Sequence, residues 1–384
     1  MVHRYTASFA FFMAAAGAAG ADCLFVNTNG LTVAAFGVQA NGSLLTAPGS
    51  PFPTGDSGGA LPAFGGAALS QTAARLYVTN ANSVSGFDIA NDCSMTLLPG
   101  SPWPAHVSTT ALRLEPQENF LYATNYGSGT INAYEIAVDG SLSEIPGSPF
   151  FVFSHPIDLE FDPAGGRFFV SQHSEGSVGV FDQAADGTFS PVPGSPFPAG
   201  GIEFGLTIAP GATRLYVADD ETDTISGFSI AGNGTLTPLP ESPYAANSSP
   251  MELLVDPLDE FLFVSHREEH SVGVFAIDAS GSLTAVAGSP FPAGLPMPAG
   301  LATDPDADQL FVAGGTPGEM GDVSVFTIGS DGSLSPISGS PFTTAPTGVT
   351  PALAYLPTGG PPGFLIFEDG FESGDAGSWS NSVP

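Results

Sequence analysis

A unit of about 47 residues recurs along this chain, and that repetition limits the possible folds more than any other feature. Its first mark is an aromatic and aliphatic run: LFV from Leu24, LYV from Leu76, LYA from Leu121, FFV from Phe168, LYV from Leu215, LFV from Leu262 and LFV from Leu310. These runs start 52, 45, 47, 47, 47 and 48 residues apart. The second mark is a glycine turn opening a short strand, at Gly42-Ser43-Leu44, Gly140-Ser141-Leu142, Gly187-Thr188-Phe189, Gly234-Thr235-Leu236, Gly281-Ser282-Leu283 and Gly332-Ser333-Leu334. In the second copy Cys93 stands where the glycine is expected. The third mark is a Ser-Pro-aromatic element at Ser50, Ser101, Ser148, Ser195, Ser242, Ser289 and Ser340.

Within each unit, short runs rich in Val, Ile, Phe and Tyr alternate with Gly, Asn and Asp turns, as in Ser177 to Phe181 before Asp186-Gly187, which predicts four strands. Nothing after the first 21 residues has a helical period. Four short strands repeating at this length fit a propeller blade better than a helical repeat or a β-helix. The 49 Gly and 36 Pro fall at fixed places in the repeat, so they read as turn chemistry and not as disorder. The first copy begins at the second strand of its blade, and the inner strand it lacks recurs at the far end as TPALAYL, Thr350 to Leu356. Pairing that strand with the initial three closes the ring without an open edge. The expected fold is all-β: a seven-bladed β-propeller of four antiparallel strands per blade over residues 22–357.

Charge and the two ends of the chain bound the partners. Six Lys plus Arg against 38 Asp plus Glu give a formal net charge of −32. Nucleic acid and anionic membrane surfaces would be repelled, and no apolar run suits membrane insertion. Residues 1–21 have the form of a signal peptide: His3 and Arg4, an apolar run from Ala7 to Ala19, and an Ala19-Gly20-Ala21 cleavage site. The mature protein is then expected outside the cytoplasm, periplasmic or extracellular. Asp22 before Cys23 argues against lipidation, and export permits either a Cys23–Cys93 disulfide or two buried thiols. Residues 358–384 form a linker and tail outside the blades, similar to DGFE-SGD tails at the ends of secreted bacterial proteins. Such a tail reads as a sorting tag or as an extra strand on the rim.

Reading the copies against one another isolates candidate functional residues. The residue ending each second strand forms a ring of Thr28, Asn80, Asn125, Gln172, Asp219, His266 and Gly314, which offers either ligand contacts or bonds to its own hairpin. On the inner strands, Leu112, Leu159, Leu206, Leu253, Leu301 and Leu353 align. The next position holds Arg113, Glu160, Thr207, Leu254, Ala302 and Ala354. Two positions before that come Ala111, Asp158, Gly205, Glu252, Gly300 and Ala352. Charges on an otherwise apolar inner strand need partners or water. Arg113 and Glu160 therefore either tie two blades together or hold a carbonyl oxygen and polarise water. His106 and His155 precede inner strands, and His173, His266 and His270 follow second strands, so all five are expected on one face. With Asp158, Asp219 and Glu252, His173 and His266 make up the candidate substrate-binding set.

The LYVTN string at Leu76 to Asn80, LYATN at Leu121 to Asn125, and the Gly-Ser-Leu and Gly-Ser-Pro-Phe elements resemble YVTN repeats and the seven-bladed lactonase family that includes 6-phosphogluconolactonase. The resemblance spans residues 23 to 356. It implies a substrate cleft lined by His, Arg and Glu, in which His155 or Glu160 activates water and Arg113 holds the oxyanion. A sugar phosphate would need several cations there. Arg75, Arg167 and Arg214 fall instead between first and second strands, on the opposite face, leaving Arg113 and Arg267. No nucleophile elbow, glycine-rich phosphate loop or metal-ligand spacing occurs, and Asp304, Asp306 and Asp308 lack the rest of a calcium loop, so no cofactor or metal is expected. Two readings stay open: a binding or scaffold propeller of the cell exterior, taking a small-molecule or surface ligand at the channel face, and a hydrolase of an unphosphorylated lactone.

Overall fold

The computed structural model describes residues 22–28, 31–56, 66–70, 72–80, 82–106, 109–201, 203–315, 321–344 and 352–357. The proposed signal peptide and the tail lie outside them. The described residues form seven antiparallel sheets arranged in a ring, a seven-bladed β-propeller. Blade 4 is representative. Its inner strand Pro156–Phe161 pairs with Arg167–Gln172, that with Ser177–Gln183, and that with the outer strand Phe189–Pro191. Blade 1 is closed as the sequence requires: Ala352–Leu356 pairs with Asp22–Thr28, with Leu24 opposite Tyr355.

The Ser-Pro-aromatic element does more than turn the chain. In blade 4, Phe197 and Pro198 pair with Val178 and Ser177, adding a two-residue ladder to the third strand. The serine Oγ accepts a backbone N–H of that same strand in every blade: from Ala35 to Ser50, Gly86 to Ser101, Ala133 to Ser148, Val180 to Ser195, Gly227 to Ser242, Val274 to Ser289 and Val325 to Ser340, all at 2.8 to 3.0 Å. The outer strand is only three residues long, so without this serine the third strand would carry an unmatched donor beyond it.

Seven apolar clusters fill the seven clefts between blades. Between blades 4 and 5, for instance, Phe169, Val178 and Val180 pack on Leu206, Leu215 and Val217. A second contact repeats toward the rim, where the first residue of each second strand covers the turn glycine of the next blade. A Cβ on Gly140 would meet Arg75 at 2.8 Å, one on Gly187 would meet Phe120 at 2.7 Å, and one on Gly234 would meet Arg167 at 2.8 Å. These glycines have φ near +80°, which also favours glycine. The tyrosine two residues on reaches the same turn, with Tyr77, Tyr122 and Tyr216 Oη donating to the carbonyls of Gly140, Gly187 and Gly281. Arg75, Arg167 and Arg214 thus begin second strands and donate to carbonyls of the following blade, Val138, Gly232 and Asp278, well away from the axis.

Cys93 departs from the turn glycine for the same reason. Cys23 occupies the position of Arg75 in its own blade, and the two cysteines form a disulfide with a Cα–Cα separation of 5.6 Å. This bond is the covalent form of the blade-to-blade contact found elsewhere in the ring.

Two predictions follow from this geometry. Replacing both cysteines (Cys23→Ala with Cys93→Gly) removes the constraint on a loop of 70 residues, for which chain entropy gives a loss of about 4 kcal/mol; denaturant unfolding of oxidised wild type and variant measures it. Ser195→Ala should cost roughly 1–3 kcal/mol by leaving the Val180 N–H unmatched, read the same way.

Candidate functional site

The inner strands run beside the ring axis, and their register fixes which side chains meet there. Leu112, Leu159, Leu206, Leu253, Leu301 and Leu353 stand opposite Ala123, Val170, Val217, Val264, Val312 and Val26 on the second strands, as aligned from the sequence. The seventh member, missed by that alignment, is Ala67 opposite Val78 in Ala67–Ser70. Small residues and the lack of a closing proline conceal it. In blades 3 to 6 the positions on either side of the leucine border a central cavity of about 280 Å³, and in blades 7, 1 and 2 the leucine position itself, Leu301, Leu353 and Ala67, reaches it.

Charge enters this cavity on one side. From blade 3, Arg113 Nε donates to Glu160 Oε1 at 2.7 Å and Nη2 to Asp158 Oδ1 at 3.1 Å, both on blade 4, while Nη1 donates to the Leu112 carbonyl at 3.1 Å. Asp158 also accepts the N–H groups of Leu159 and, from blade 5, Leu206. The two sequence readings of Arg113 are therefore compatible: it ties blades together and it borders the cavity. Its side chain keeps 24% of its surface accessible. Three of its five N–H groups are engaged by these bonds, and the fork geometry leaves two for a ligand.

Glu252 of blade 6 joins the same wall. Gly205 makes room for it, since a Cβ there would lie 2.6 Å from the Met251 carbonyl and 3.2 Å from Glu252 Oε2. Burial, reinforced by Asp158, holds the Glu252 carboxyl well above the usual carboxylate range. Burial also raises Glu160, although Arg113 counteracts it. For Arg113 burial alone would favour the neutral form, but Glu160 and Asp158 outweigh it and keep the guanidinium charged. The wall thus sets a fixed cation beside a carboxyl whose protonated form burial favours, and in that form both are donors suited to a carbonyl oxygen. Three acids around one arginine give no place for a further negative charge such as a phosphate.

The histidines gather elsewhere. His155, at the residue before the blade 4 inner strand, packs on Tyr126 with ring centroids 4.8 Å apart, and Tyr126 meets His173 at 5.5 Å. His173 in turn meets Phe204 at 5.0 Å, and its pKa is lowered by burial and by His155. Five residues along a strand, at about 3.3 Å each, separate His155 from Glu160 by roughly 16 Å. Ile157, Phe204 and Met251 pack together between the two levels. His155 and His173 are not among the cavity-lining residues, so the structure does not bring them to Arg113.

Of the residues ending the second strands, Asn80, Asn125, Gln172, Asp219 and His266 are not among those lining the cavity and bond within their own blades or to the segments leading into them. Asn80 donates to Ser83 and Ser85, Asn125 to Thr130 and Asn132, and Gln172 to the Val152 carbonyl. Asp219, fully buried, accepts from Gly201 N, Glu221 N, Thr222 N and Thr222 Oγ1. His266 is buried with Nδ1 against Ser271 Oγ, and burial pushes its pKa down to about 4. In the calcium-like run, Asp304 accepts the N–H groups of Asp308 and Gln309 as a turn cap. Among the described residues no cluster of three or more His, Cys, Asp or Glu is placed to hold a metal.

Residues 67–148 and 159–297 match the family described as lactonase, 7-bladed β-propeller. The chain belongs to that family. This lactonase-family chain shares its fold with a putative 6-phosphogluconolactonase from Bacteroides uniformis (TM-score 0.72, 15% identity, covering 88% of this chain and 100% of the other). It likewise resembles the periplasmic gluconolactonase of Pseudomonas aeruginosa (TM-score 0.66, 18% identity, 88% and 99%) and a protein from Lactobacillus plantarum (0.71, 18%, 88% and 100%). At these identities the likeness is one of fold. A search of curated proteins finds no match.

The raised Glu252 pKa has a consequence for stability. Below about pH 4.5 the carboxyl is protonated folded or unfolded, and its contribution is fully present. As pH rises, the unfolded chain releases the proton first, so stability falls until the folded pKa is passed. Glu252→Gln should flatten this decline and be at least as stable as wild type at neutral pH, as unfolding midpoints between pH 4 and 8 will show.

Proposed function

We propose that this protein is an exported ligand-binding propeller whose site is the central channel, and whose ligand is a small uncharged carbonyl compound of the lactone class. The state of Arg113 carries the reading. Two carboxylates hold it rigidly in one orientation, it borders the cavity, and part of its donor fork faces no protein acceptor in the bonds described. Sequence residues 1–21 and the Cys23–Cys93 disulfide support export. The strongly acidic chain supports neither nucleic acid nor anionic membrane as a partner. The same charge, with three acids around Arg113, disfavours a phosphorylated lactone.

Hydrolysis is the second reading, favoured by family membership and by Glu252, a carboxyl on the same wall as Arg113 whose protonated form burial favours. Arg113 and Glu252 would polarise the lactone carbonyl, and Glu160 or Asp158 would activate water. His155 suits that base role less well than the carboxylates, being a strand's length away.

Calorimetric titration with δ-valerolactone and with 6-phosphogluconolactone, beside a pH-stat assay for acid release, tests both readings. Arg113→Lys keeps the charge that Asp158 and Glu160 need but loses the planar fork, and it should weaken δ-valerolactone binding about tenfold or more. Equal binding by wild type and variant, or preference for the phosphorylated compound, would refute the proposed site. Acid release by the wild type that is lost in Glu252→Ala, which removes the donor, and kept in Glu252→Gln separates the hydrolase from the binding protein.

A further inference from the structure

We infer that the lactone taken by this channel carries an apolar chain or ring, and that this substituent lies against blades 7, 1 and 2, across the axis from Arg113. The inference rests on the lactone reading above and specifies the substrate class. The cavity lining divides by blade. Arg113, Asp158, Glu160, Thr207 and Glu252 all come from blades 3 to 6. The described lining from blades 7, 1 and 2 comprises Ala299, Gly300, Leu301, Leu353, Gly66 and Ala67, without a polar side chain. Leu353, Ala67 and Ala299 are only half-buried among the described residues and line the channel, so they present apolar surface to it. Water against such a wall is unfavourable, and an apolar group that displaces it gains by its burial.

A sugar lactone suits this division poorly. It bears hydroxyls around the whole ring, so whichever edge is turned to Arg113, the other edge meets a wall whose described residues offer no side-chain hydrogen bond. Its hydroxyls would be stripped of water without replacement. A lactone with a single polar edge and an alkyl or aryl substituent matches both walls at once. Its carbonyl faces Arg113 and Glu252, and its substituent lies on Leu353 and Ala67.

The test compares three probes on the full chain by calorimetric titration: δ-valerolactone, the same ring with a pentyl substituent, and glucono-δ-lactone. The pentyl lactone should bind at least about tenfold more tightly than either of the others, given the number of methylenes buried. Leu353→Asn should remove most of that advantage, read as the ratio of the pentyl-lactone and δ-valerolactone affinities in the variant against that ratio in the wild type. Because Leu353 also packs between blades 7 and 1, Ala67→Ser serves as a second variant that wets the opposite part of the wall with little change in volume, and it should act in the same direction. Glucono-δ-lactone binding as tightly as the pentyl lactone, with the Arg113→Lys effect retained, overturns this inference and leaves the channel reading standing. No binding by any of the three overturns both.

Discussion

Everything in this molecule depends on the contact that carries one blade to the next: the second strand's first residue lies over the following blade's turn, where only glycine leaves room. A propeller blade has no core of its own, since each sheet buries its faces only against its neighbours. The contact recurs with different chemistry at each junction. Arg75, Arg167 and Arg214 use a guanidinium, Phe120 and Phe261 a ring, and Cys23 a covalent bond. The site inherits its precision from this stacking. Arg113 and its two carboxylates are on different blades, and their 2.7 and 3.1 Å bonds exist only because the junction between blades 3 and 4 is fixed.

The fold was legible because strand, turn and closure signals repeat and agree. A single LYVTN string would mean little, whereas seven related aromatic and aliphatic runs in register leave one architecture, and the first copy's missing inner strand even located the closing one. What the sequence left hidden were features without a repeated letter. Blade 2's inner strand consists of small residues, and the role of the Ser-Pro serine depends on a hydrogen bond across 15 residues that no pattern of hydrophobicity reveals.

The candidate site was legible in part, and the division has a physical cause. Charged residues on an inner strand stand out against an apolar background, so Arg113, Asp158, Glu160 and Glu252 could be identified by aligning copies. The histidines could not be assigned the same way, because sequence position gives a face of the ring but not a depth. His155 and Glu160 share a strand, yet a packed layer of Ile157, Phe204 and Met251 lies between their levels. Polar residues at the ends of second strands looked like a ligand ring for a similar reason. Burial obliges each of them to find a partner nearby, and Asp219 finds three donors in its own turn and a fourth at Gly201 N, ahead of the inner strand.

The closing strand has a temporal consequence. Tyr355 bonds to Asp22 across 333 residues, so blade 1 cannot be completed until nearly all of the chain has emerged. Until then its Asp22–Thr28 strand is an exposed template for any extended segment, including the repeats of a neighbouring copy. The bond from Cys23 to Cys93 needs only the second repeat to be present. Oxidation could therefore anchor the waiting strand to blade 2 early, turning a long search between chain ends into the docking of one edge on a nearly finished ring.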